Sequence, residues 1–259
     1  MTLVDGNLNA VTYVPLEEAI GMRGLRLVLT RGAPNPWGLA ARAMLEFKNI
    51  PYVAAPQEVG EANEVLQRWT GQTSAPVAIF EDERPRTSWA DIVLLAERLA
   101  PQPSVIPSDL DERVAMFGLC HELCGEEGLG WSARLILMED SRRAGAVSDA
   151  MWRKYGSPVG LDHARARANG VIAMLARRLE AQRALGRWTL VGERISAADF
   201  YWTGFSNMLR IFPQDAVVTT ARFATFPPIL ATHLDPVPEI LFEHRERVLT
   251  DYVRRPMAF

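Results

Sequence analysis

Basic charge, cysteine, histidine and long apolar runs are all scarce in this chain, and each scarcity removes a class of function. Lysine and arginine total 28 against 31 aspartates and glutamates, a net charge of -3 over 259 residues. No strong positive field gathers phosphates, so nucleic acid is not expected as a partner. No apolar run approaches the ~20 residues that a membrane span needs, so no membrane association is expected. The opening Met-Thr-Leu-Val-Asp-Gly-Asn lacks the basic-then-apolar layout of a signal peptide, which points to the cytoplasm. The two cysteines, Cys120 and Cys124, sit four positions apart in a stretch of helical character. Neighbours on one helix face have poor disulfide geometry, so they read as small buried hydrophobes. A redox pair would instead be Cys-x-x-Cys at a helix start. His121-Glu122-Leu123-Cys124 lacks the second histidine of a His-Glu-x-x-His zinc helix, and no metal is expected. No Gly-x-Ser-x-Gly elbow, Walker loop or Gly-x-Gly-x-x-Gly turn occurs, which disfavours a thiol-independent hydrolase.

What is present changes character along the chain. Residues 1–22 are polar and mixed, and read as an N-terminal extension on the surface. Residues 23–100 alternate short β-rich runs with helical patterns. Leu25 to Thr30 is the first run. Asn35 and Pro36 then open a helix, as N-cap and first helical residue, with Trp37, Ala40, Ala41, Met44, Leu45 and Phe47 at helical spacing. Pro51 to Ala54 and Pro76 to Phe80 are further strands, Glu61 to Trp69 and Ser88 to Leu99 further helices. A brief fourth strand is expected near Pro85. Residues 101–108 are a proline-rich linker. Residues 109–259 carry almost no strand signal. Helices are expected over Asp109–Met138, broken near Gly125–Gly130, then Leu161–Leu185, Ser196–Ile211 and Pro238–Val253. Ser196-Ala197-Ala198-Asp199 fits a capping box with Asp in place of Glu.

Three segments together resemble the glutathione S-transferases. The first is Asn35-Pro36-Trp37-Gly38-Leu39-Ala40-Ala41-Arg42-Ala43-Met44-Leu45-Glu46, followed by Asn49-Ile50-Pro51-Tyr52. The second is Ser74-Ala75-Pro76-Val77, with Ser88 twelve residues after Pro76. The third is Leu190 to Asp199, ending in the capping box. The resemblance covers roughly residues 24–212. It implies an α+β, thioredoxin-like N-terminal domain followed by an all-α C-terminal domain. It also implies glutathione as co-substrate, a homodimer and a detoxification role. Two positions depart from the family: Asn35 stands where relatives place a catalytic Ser or Cys, and Thr87 replaces the Glu of a Glu-Ser pair.

Carried over residue by residue, the resemblance makes Asn35 the catalytic candidate. It makes Trp37, Ala75, Pro76, Thr87 and Ser88 the glutathione-binding candidates. The chemistry is a thiolate held at a helix N-terminus, where unpaired N–H groups and the macrodipole favour an anion. The Asn35 amide is either a hydrogen-bond donor to that sulfur or a plain helix cap. Pro76 is either the family's cis proline or an ordinary strand-start proline. Ser88 either joins an anion nest for the γ-glutamyl carboxylate or closes a local box with Asp91. A second-substrate pocket is expected from Met116, Phe117, His121, Trp131 and Trp152, with Arg134 nearby, for an apolar or aromatic electrophile. The expected function is glutathione transfer, with lyase, dehalogenase or isomerase chemistry, or a non-catalytic binding role, as alternatives.

Overall fold

The computed structural model describes residues 11–213, 215–217 and 223–257. Among them the chain divides into two compact units. The first takes residues 11–105, 212–213, 215–217 and 249–257. The second takes 106–211 and 223–248.

The first unit is built on a three-stranded sheet, β1 Leu25–Thr30, β2 Tyr52–Gln57 and β3 Val77–Phe80, in the order β2-β1-β3. β1 runs parallel to β2, with Leu25 opposite Tyr52, and antiparallel to β3, with Leu25 opposite Phe80. Successive side chains of a strand face opposite ways, and every residue of β1 is buried. Leu25, Leu27 and Leu29 pack with Ala41 and Leu45 of α2 (Pro36–Phe47) and with Ile92 and Leu95 of α4 (Trp89–Leu99). Val28, Val77 and Ile79 pack on the other face with Ala19 of α1 (Leu16–Gly21) and Leu66 of α3 (Glu64–Thr70). The expected fourth strand is reduced to one bridge, Arg86 opposite Ala78.

Residues 11–22, exposed or half-buried at all but Ala19, are tied to the sheet. Tyr13 bridges Ala54 at the sheet edge and Ala19 has no exposed surface, so the segment contributes to both faces. Residues 1–10 of the expected extension lie outside the described residues.

Two joints hold the elements that matter for the site. Helix α2 ends in a Schellman-type turn: Asn49 takes φ 54° and the Ile50 N–H donates to Leu45 O at 2.9 Å. The buried Lys48 ammonium donates to Glu97 Oε1 at 2.7 Å and to Pro103 O at 2.6 Å. Glu97 also accepts from the Val105 N–H at 2.8 Å, which fastens the linker to α4.

The second unit is helical: α5 Leu110–Cys124, α6 Leu129–Arg143, α7 Asp149–Tyr155, α8 Leu161–Ala184, α9 Ala197–Ser206, α10 Phe226–Ala231 and α11 Glu239–Asp251, whose last residues count with the first unit. The break between α5 and α6 falls at Gly125–Gly128. A Cβ on Gly128 would stand 2.6 Å from the Glu122 carbonyl oxygen, so the turn needs glycine. Every residue of α9 is buried. Its capping box forms through the Asp199 carboxylate, which accepts from the Ser196 N–H at 2.7 Å and the Ser196 hydroxyl at 2.8 Å. Asp199 also accepts from the Leu190 N–H at 2.7 Å and lies 2.9 Å from His244 Nε2. Among the described residues no helix is long and apolar enough to cross a membrane.

Candidate functional site

At the start of α2, Asn35 is half-buried and makes the cap that its sequence position suggests. The Trp37 N–H donates to Asn35 Oδ1 at 3.0 Å, satisfying one of the open donors of the first turn. The Asn35 amide donates to two acceptors at 3.3 Å each, Thr30 Oγ1 and the Ala75 carbonyl. One side chain therefore joins the end of β1, the tip of α2 and the loop before β3. The Ala75–Pro76 peptide bond is cis. Thus Asn35, Trp37, Ala75 and Pro76, four of the six candidates of this unit, come together at one helix tip.

Thr87 and Ser88 are exposed at the start of α4. Ser88 Oγ accepts from the Asp91 N–H at 3.1 Å and so caps α4. The Asp91 carboxylate turns instead to Arg84, 3.3 Å away. Ser88 thus caps through its oxygen, while a weak, exposed ion pair stands beside it.

In the helical unit the pocket candidates are scattered. Met116 has no exposed surface and its Sδ lies 3.6 Å from Cys120 Sγ, which makes it core. Phe117 is half-buried under the Arg113 guanidinium, 5.2 Å from its ring centre. His121 is exposed. Trp131 packs against the cluster around Ile136 and Leu230. Trp152 carries the Arg142 guanidinium 4.1 Å from its ring centre, and Gly156 abuts the ring so closely that a Cβ would stand 2.7 Å from it. Arg134 rests 4.5 Å from the Tyr155 ring centre, and burial lowers its pKa from the usual guanidinium value. A cavity of about 540 Å³ between α5 and α8 is lined by none of the five pocket candidates.

Burial pushes both cysteine thiols well up, so neither is a thiolate nucleophile near neutral pH. Among the described residues no group of three or more His, Cys, Asp or Glu is placed to hold a metal.

No protein-family model matches the sequence, and no curated protein matches it significantly. Solved structures match it well. A glutathione S-transferase from Methylobacterium radiotolerans JCM 2831, in complex with glutathione sulfonate, is 20% identical over 91% of this chain and 96% of its own, with TM-score 0.58. A glutathione S-transferase domain-containing protein from Marinobacter aquaeolei VT8 is 19% identical over 87% of this chain and 98% of its own, with TM-score 0.63. The β-etherase LigF from Sphingobium sp. strain SYK-6 is 17% identical over 86% of this chain and 99% of its own, with TM-score 0.54. The chain has the glutathione S-transferase fold.

Identities this low carry architecture alone, so activity on a glutathione S-transferase fold has to be argued from the site. Two residues of that site escaped the sequence reading. Thr30 was legible only as the last member of a β-rich run, with no sign that its hydroxyl would meet Asn35. Arg84 ends the charged run Glu81-Asp82-Glu83-Arg84, and nothing in that run signals that it reaches Asp91.

Proposed function

We propose that the first unit binds glutathione, with its sulfur at the α2 tip, and that the protein uses the thiolate as a nucleophile on an apolar or aromatic electrophile. The observation that carries this reading is the Asn35 junction, which brings the N-terminus of a 12-residue helix against the Ala75 carbonyl. A free thiol has a pKa of about 8.5 and is a few per cent ionised at neutral pH. The positive end of the α2 dipole lowers that cost by favouring the anion. Backbone groups at Ala75 pair with an extended peptide, and Ser88 with the first turn of α4 receives a carboxylate. Thr87 adds a hydroxyl there. The same nucleophile serves ether cleavage, dehalogenation and double-bond isomerisation, and the fold is shared with a β-etherase. Cytoplasmic location and a homodimer complete the reading.

A second reading, a glutathione-binding protein without turnover, is favoured by one observation. The Asn35 amide is already committed to Thr30 and Ala75, and its oxygen to Trp37.

Thermal melting with glutathione, followed by conjugation of 1-chloro-2,4-dinitrobenzene, tests both. Saturating stabilisation, about 2.7 kcal/mol at a hundred times Kd, with conjugation above the uncatalysed rate supports the enzyme. Stabilisation without conjugation supports the binding protein. No shift at millimolar glutathione removes both. Sedimentation showing only a monomer removes the dimer.

A further inference from the structure

We propose, resting on the glutathione reading above, that Thr30 is a positioning residue for the thiolate: its hydroxyl holds the Asn35 amide, and through it the Ala75 carbonyl, against the tip of α2. β3 pairs antiparallel with β1 from Leu25 opposite Phe80 to Val28 opposite Val77. Carried two residues further, that register sets Thr30 opposite Ala75. Pro76, just before β3, has no N–H to give a ladder, and the paired stretch ends at Val77. The Asn35 amide joins the two chains beyond that end. Its two hydrogens find one acceptor on each, Thr30 Oγ1 and Ala75 O, at 3.3 Å apiece.

Burial makes the Thr30 hydroxyl conspicuous. Thr30 is only 5% exposed, in a strand whose every residue is buried. A hydroxyl taken out of water costs free energy unless it is hydrogen-bonded, and the bond that this one makes is to Asn35. Valine suits a buried strand without that cost. The Thr30 backbone is fixed by its register opposite Gln57 and by the neighbouring Arg31 N–H, which donates to Gln57 O at 3.0 Å. The hydroxyl is therefore an acceptor at a set place. With both acceptors present the amide cannot turn over, because its oxygen would then meet the Ala75 carbonyl oxygen. Without the hydroxyl, Ala75 alone orients the amide, and the loop before β3 is free to drift from the helix tip. A displacement of about 1 Å at a reacting atom is enough to cost much of a rate. The sulfur then leaves the end of the α2 dipole, and its pKa climbs back toward that of a free thiol.

Titration of bound glutathione in the full chain, read by the ultraviolet absorbance of its thiolate, tests this role, with turnover followed over the same pH range. Thr30→Val is expected to raise the apparent pKa of the bound thiol by about one unit and to cut turnover about tenfold at neutral pH, the loss shrinking toward alkali. Thr30→Ser returns the hydroxyl and is expected to return both; Thr30→Ala serves if the valine variant fails to fold. In an Asn35→Ala background Thr30→Val is expected to add less than about twofold, since Thr30 acts through that amide. A melting temperature that moves while the thiol pKa stays at the parent value overturns the proposal, because the hydroxyl is then only structural. So does a serine variant that behaves like valine, and so do losses that multiply in the double variant, because Thr30 then acts without Asn35. The titration decides even if the parent binds glutathione without turnover. A parent that ionises bound glutathione and is matched by Thr30→Val defeats the role of Thr30 and leaves the glutathione reading standing; a parent that takes up no glutathione defeats both.

Discussion

At the scale of single residues, Asn35 carries more than one task, and substitution separates them. Its oxygen caps α2 and its amide spans to Thr30 and Ala75. Asn35→Ala removes both and is expected to cost about 1–2 kcal/mol in thermal or denaturant unfolding, whereas Asn35→Asp keeps a capping oxygen and is expected to cost less than about 1 kcal/mol. Glutathione-dependent turnover is expected to fall at least about tenfold in both, because both lose the amide that sets Ala75 against the helix tip. Turnover that falls only in the alanine variant would reduce Asn35 to a cap. The cap itself was legible in Asn35-Pro36, since capping is a local pattern of neighbouring residues. The amide contacts were not, because Thr30 and Ala75 meet Asn35 only through the sheet. The same holds for Asp91. Its spacing to Ser88 suggested a local box, and the carboxylate found Arg84 across the turn instead.

At the scale of elements, periodicity located the long helices, and glycines decided how they divide. The stretch Asp109–Met138 becomes α5 and α6 because Gly128 lets the chain pass close to the Glu122 carbonyl. Helices α7 and α10 went unread. α7 has seven residues, too few for a periodic signal, and Arg142 stacked on Trp152 and Arg134 beside Tyr155 hold it through cation–π contacts. α10 opens on Phe226-Pro227-Pro228, which reads as a breaker and not as a first turn. One step further along α6, Gly130 fits α6 to α9 by leaving room for the Phe205 ring. Gly130→Ala gains helix propensity of about 1 kcal/mol but drives a Cβ into that ring, so unfolding is expected to show a net loss of about 2 kcal/mol or more. Phe205→Leu in the same chain is expected to recover part of it. A double variant whose loss equals the sum of the two single losses would show that the two sites are not coupled through this contact.

At the scale of the whole molecule, buried acids held in their neutral form make stability sensitive to alkali. Burial pushes the Cys120 and Cys124 thiols and the Tyr201 hydroxyl well up, raises Tyr13 to about 12, and raises Tyr52 as well. Each group binds its proton more tightly folded than unfolded. The stability it contributes is complete below its unfolded pKa and declines above it, as the unfolded chain ionises first. Loss therefore starts near pH 8.5–9 with the thiols and steepens near pH 10, where unfolded tyrosines ionise. Each group adds a slope of about 1.4 kcal/mol per pH unit until its folded pKa is reached. Denaturant unfolding between pH 7 and 11 is expected to show this two-stage decline. A Cys120→Ala, Cys124→Ala chain is expected to be less stable at pH 7, since two buried side chains shrink, yet to hold that lower stability up to about pH 10. A stability flat to pH 11 in the parent would mean that these side chains reach water in the native protein, and the close packing around α5 and α9 would have to be abandoned.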